Sequence, residues 1–137
     1  MKQFGVEICA YEENGFSPLV FFNGWRVAIL NHQPSQEKEG LSFVERHHQT
    51  DEVFVLLQGP ATLLLGGYGE EPEEIEALHM ELGKLYNVPR DLWHAVMTQA
   101  QSKLLIVENA DTGEANSSYF PLEIGHMIKA FKQIFSY

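Results

Sequence analysis

Apolar and polar positions alternate along this chain in short segments of period two. Leu19–Phe22 and Trp25–Leu30 flank Asn23-Gly24, a dipeptide that accepts the positive φ of a tight two-residue turn, so the two runs predict a hairpin. Leu41–His47, Glu52–Gln58, Ala61–Leu65, Leu85–Val88, Trp93–Thr98 and Lys103–Glu108 read as further strands, with turn residues such as Gly59-Pro60 between them. Residues 3–10 alternate around Phe4, Val6 and Ile8 and predict an opening strand. Residues 74–82 fit two readings. Pro72 followed by glutamates can open a helix, yet Ile75, Ala77 and His79 alternate with Glu76, Leu78 and Met80 as in a strand. Short strands recurring between turns point to an all-β sandwich or barrel.

The period changes only near the C-terminus. Ile124, Met127, Ile128, Phe131, Ile134 and Phe135 form a helical stripe. Glu123 precedes Lys129 and Lys132, the order a helix dipole prefers, and a helix over about 122–135 is predicted. Pro34–Gly40 reads as a polar loop and Asn116–Pro121 as a polar connector. Gly66-Gly67-Tyr68-Gly69 reads as a turn, since it lacks the Lys-Ser or Lys-Thr of a phosphate loop.

The 137 residues suit one domain with its own core, and 45% hydrophobic content without an apolar run near 18 residues suits a soluble one. A formal charge of −10 argues against nucleic acid and anionic membrane surfaces as partners. The N-terminus lacks a signal peptide's apolar region, and a single cysteine, Cys9, suits a reducing cytoplasm. Cys9 itself reads as a small buried strand residue.

Candidate chemistry lies in two stretches. Arg46, His48 and Glu52 are separated by even intervals and share a face if their segment is extended. His94 follows the Pro89–Asp91 turn in a distant segment. A histidine and a glutamate on one strand face, met by a histidine from elsewhere, can build a small metal or catalytic pocket. His47 has the opposite parity and faces away, unless a bulge turns it inward. Phe54, Tyr86 and Trp93 suit either the apolar wall of a ligand site or the core. Arg26 and Arg90 read as solvent-facing.

These stretches resemble the paired motifs of the cupin superfamily. The first motif reads G, five residues, H-x-H, three or four residues, E, six residues, G. Gly40, His48, Glu52 and Gly59 match it, with Arg46 where the first histidine would stand. The second reads G, five residues, P-x-G, two residues, H, three residues, N. Gly83, Pro89 and His94 match, with Asp91 for the glycine and Thr98 for the asparagine. The resemblance implies a jelly-roll barrel (a double-stranded β-helix) as a single domain over 1–137, with its barrel at about 18–110 and a strand at 74–82. It implies a divalent transition metal (Fe, Mn, Ni or Zn) on His48, Glu52 and His94, with Arg46, Trp93, Tyr86 and Phe54 lining a ligand site. Two functions follow. One is a metal-dependent dioxygenase, isomerase or lyase acting on a small anionic substrate; the other is a metal-free binding barrel with Arg46 as anion anchor. A homodimer is expected as well.

Overall fold

The computed structural model describes residues 4–37 and 41–122. Ten strands follow in order: β1 (Gly15–Phe22), β2 (Trp25–Asn31), β3 (Phe43–His47), β4 (Glu52–Gln58), β5 (Ala61–Leu65), β6 (Glu76–His79), β7 (Leu85–Val88), β8 (His94–Thr98), β9 (Lys103–Asn109) and β10 (Ser117–Pro121). They form two five-stranded sheets, ordered β1-β2-β9-β4-β7 and β10-β3-β8-β5-β6, with every ladder antiparallel. Among the described residues no helix is long and apolar enough to cross a membrane.

Alternation along each strand decides what the barrel encloses. Register aligns Leu30, Leu104 and Leu56 in one row across β2, β9 and β4, and Ala28, Ile106 and Phe54 in the next. With Ala61, Leu63, Met80 and Val88 these side chains make the main buried core. One more pleat along the same face brings Arg26 opposite Glu108, with Glu52 one step beyond the Val53–Val107 pair. The interior is thus apolar at one end and charged at the other. A second cluster of Val44, Leu64, Ile75 and Trp93 packs on the opposite side of β3 and β5.

The Asn23-Gly24 hairpin forms as expected, and the left-handed residue in it is Asn23, at φ 48°. Residues 74–82 contain strand β6, which pairs with β5. Three expectations are corrected. Residues 6–10 belong to neither sheet, and Phe4, Val6 and Ile8 stand exposed; side chains hold the next stretch instead, with Asn31 Nδ2 and Lys103 Nζ donating to Tyr11 O. Cys9 is exposed accordingly. Residues 117–121 form an edge strand on β3, pairing Ser117 with His47 and Pro121 with Phe43. A polar sequence suits an edge strand, whose outer face meets water. The helix expected at about 122–135 lies outside the described residues.

Candidate metal centre and cavity

Four side chains converge at the charged end of the barrel. Glu45 and His47 come from one face of β3, Glu52 opens β4, and His94 opens β8. One ligand atom from each lies within 4.8 Å of the others. Glu52 Oε1 is the hub, 3.2 Å from His47 Nε2 and 2.9 Å from His94 Nε2. Glu45 Oε1 is 3.6 Å from His47 Nε2 and 4.0 Å from His94 Nε2. His47, Glu52 and His94 are buried, and Glu45 is half-buried.

The outer ring nitrogens are held too. His94 Nδ1 donates to Leu92 O at 2.9 Å, because a carbonyl can only accept. His47 Nδ1 meets Ser117 Oγ at 2.7 Å. Each imidazole is therefore fixed from behind and presents Nε2 to the centre, the orientation that a hydrogen bond on the far nitrogen imposes on metal-ligating histidines. Two imidazoles and two carboxylates fit a divalent transition ion by donor type and number.

Burial opposes the carboxylate form of Glu52, but the hydrogen bonds and charges of His47 and His94 outweigh it and hold its pKa well below the usual range. Burial also opposes the charged forms of His47 and His94. The Glu52 hydrogen bond and charge prevail, so both rings hold protons more tightly than a free histidine. Glu45 is pushed up, chiefly by burial.

The cluster borders a cavity of about 260 Å³, whose walls include Phe16, Leu30, Phe54, Ile106 and Tyr119. Arg26 and Glu108 form its second polar group. Arg26 Nε and Nη2 donate to Glu108 Oε2 at 3.2 and 2.7 Å, and its guanidinium lies 5.3 Å from the Phe16 ring centroid. Burial, joined by the charge of Glu52, raises the Glu108 pKa to about 7 against the pull of Arg26.

The structure redistributes the residues expected from sequence. Glu52, His94 and Phe54 line the cavity. His48 does not join the cluster: its Nδ1 is 2.6 Å from Asp91 Oδ1 and its Nε2 is 2.7 Å from Ser118 Oγ. His47 stands in its place. The reason is that β3 ends at His47 and residues 48–51 turn before β4 starts at Glu52. Face parity does not carry across a turn. Arg46 shares the face of Val44 and lies 4.2 Å over the Trp93 ring, with Nη1 donating to Gly69 O. Arg46 and Trp93 are thus partners of each other and do not border the cavity. Tyr86 packs on the main core, and its hydroxyl accepts from Glu81 N.

Glu45, Arg26 and Glu108 were not foreseen as site residues. A signal for Glu45 did exist: with the four-residue option before the glutamate, the first motif reads Glu45-x-His47, four residues, Glu52. Arg26 was expected in solvent, yet it alternates in step with buried Ala28 and Leu30 and so lies on the inner face. Asp91, which replaces the motif's glycine, adopts the glycine-like φ of 68°.

Two antiparallel sheets around an interior that is apolar at one end and charged at the other form a β-barrel, and its likeness to solved structures is to a fold of the cupin type. The fold recurs in a cupin-2 domain containing protein from Shewanella frigidimarina, at TM-score 0.51 and 20% identity over 72% of this chain and 84% of that one. It recurs in the Streptomyces protein Pac13, a nucleoside dehydratase also crystallised with uridine, at TM-score 0.55 and 9% identity over 82% and 83%. The capsular polysaccharide assembling protein CapF from Staphylococcus aureus matches at TM-score 0.59 and 16% identity, over 84% of this chain but 34% of its own. No protein-family model and no curated protein sequence matches the chain.

Proposed function

We propose that the protein is a metal-dependent enzyme acting on a small molecule, its divalent transition ion (Fe, Mn, Ni or Zn) held by His47, Glu52 and His94 with Glu45 as fourth donor. The observation that carries this reading is the convergence of two imidazoles and two carboxylates beside a cavity. When bound, such an ion supplies Lewis-acid polarisation of an oxygen on the substrate. The chain's own groups do the rest. Leu92 O and Ser117 Oγ aim the imidazoles, Phe16 and Phe54 help exclude water, and Arg26 with Glu108 supplies a fixed polar contact on the wall. Dioxygenase, isomerase and lyase chemistry are all compatible with that arrangement, and the fold does not choose among them. Pac13 offers a precedent for small-molecule chemistry in such a barrel, and at 9% identity it offers no more.

Elemental analysis of protein purified without a histidine tag tests the reading. Near-stoichiometric metal that Glu52→Ala and His94→Ala abolish supports it. No metal, even after reconstitution with Fe(II), Mn, Ni and Zn, overturns it. A metal-free binding barrel is the second reading, favoured by one observation: Glu52 Oε1 already has both imidazoles within hydrogen-bond distance, so protons alone can hold the cluster together.

A further inference from the structure

We propose that the cavity selects an uncharged, hydroxyl-bearing small molecule of the sugar, polyol or nucleoside class, and that Glu108 is the residue that discriminates against anions. The inference rests on the cavity being the ligand site.

Anionic ligands need an uncommitted cation, and the described wall lacks one. Arg26 is its single Lys or Arg. Besides both bonds to Glu108 Oε2, Arg26 donates from Nη1 to Ala110 O and from Nη2 to Thr112 O, each at 3.3 Å. Four of its five N–H groups are therefore used within the chain. Its positive charge is matched at 2.7 Å by a carboxylate. The other acidic groups on the described wall are Glu45 and Glu52, which face the imidazoles of His47 and His94, so the wall adds carboxylates and no further Lys or Arg for a carboxylate or phosphate to pair with.

The wall does offer an acceptor. Glu108 is only 6% exposed; its Oε2 takes both Arg26 bonds, while Oε1 makes no hydrogen bond to a described residue. Glu108 lines the cavity, so that oxygen can accept from a ligand hydroxyl, which supplies a donor without bringing charge. Phe16, Phe54 and Tyr119 on the same cavity suit the C–H faces of a ring. The volume, about 260 Å³, falls just under the ~300 Å³ lower end of drug-sized pockets, which suits one or two small rings.

Two matched pairs test this by saturation-transfer NMR and competition titration at about pH 8, above the Glu108 pKa of about 7: glucose against glucuronate, and uridine against uridine monophosphate. Each neutral member is expected to bind about tenfold more tightly than its anionic counterpart, the scale of one charge-assisted buried hydrogen bond. Glu108→Gln removes the charge that neutralises Arg26, so the preference is expected to shrink or reverse in favour of the anions. Glu108→Asp keeps the charge and should keep the preference for neutral ligands, which preserves a test if the glutamine variant fails to fold. Equal or tighter binding of the anions by the unaltered protein overturns the proposal. So does failure of both neutral members to bind, or an unchanged preference in folded Glu108→Gln. Metal content of the same samples separates the two proposals. A metal-free protein that still prefers the neutral ligands leaves this inference standing, whereas loss of metal in Glu108→Gln makes Glu108 a ligand and overturns it.

Discussion

His94 is gripped at both ring nitrogens: Nδ1 donates to Leu92 O at 2.9 Å while Nε2 lies 2.9 Å from Glu52 Oε1. Since the carbonyl fixes one hydrogen on Nδ1, a neutral His94 would point a lone pair at a carboxylate. The contact needs a positive partner between the two atoms. In metal-free protein that partner is a second proton, making His94 an imidazolium; a metal ion does the same work by replacing it.

Stability of the metal-free protein should therefore fall as pH rises. A histidine whose folded pKa lies above its unfolded value near 6.5 stabilises fully below that value and loses the contribution as pH climbs through the folded one. Glu108, raised to about 7 from 4.5, acts in the same direction, because the folded state keeps its proton longer than the unfolded chain. The depressed Glu52 contributes stability that is lost only when pH falls below the ordinary carboxylate range toward its folded value. Thermal melts in EDTA at pH 6, 7 and 8 are expected to show a falling Tm. A Tm that rises over the same interval would contradict the proton-held cluster.

The choice between neighbouring histidines is open to direct test. His47→Ala, like Glu52→Ala and His94→Ala, is expected to abolish metal binding, while His48→Ala leaves the metal content unchanged because His48 spends both ring nitrogens on Asp91 and Ser118. Elemental analysis of the variants reads this out. Metal lost with His48 and retained without His47 would reverse the assignment.

Arg46 should matter for stability and not for the cavity. Its guanidinium covers Trp93 and bonds Gly69 O, while its Nε is buried without a hydrogen-bond partner among the described residues. Arg46→Ala removes the cation–π contact and one hydrogen bond, about 2 kcal/mol together. Arg46→Met, which keeps apolar bulk over the ring and removes the orphaned nitrogen, should cost less. Denaturant unfolding measures both variants, and equal losses would deny that orphan a role.

At Asp91 the backbone decides. Its φ of 68° costs an L-residue about 1–2 kcal/mol that glycine avoids. Asp91→Ala keeps that cost and gives up the His48 contact, so it should destabilise by about 1 kcal/mol. Asp91→Gly gives up the same contact and relieves the backbone, and should come out more stable than the alanine variant in the same unfolding assay. The opposite order would deny the left-handed backbone that cost.

The all-β class, the Asn23-Gly24 hairpin and most strand limits were legible because alternation and turn chemistry are local. Strands β4, β5 and β7 begin and end where the pattern placed them. Segment 117–121 was not legible, because an edge strand is defined by the neighbour it meets, here β3. Glu52 and His94 stand out in the sequence by motif spacing. Only the folded chain decided that His47 and Glu45, rather than His48 and Arg46, turn toward them. Parity relates residues within one continuous strand, and the turn at 48–51 breaks that relation between β3 and β4. Pairing partners 82 positions apart, such as Arg26 and Glu108, meet through the register of neighbouring strands in one sheet, which no local pattern carries.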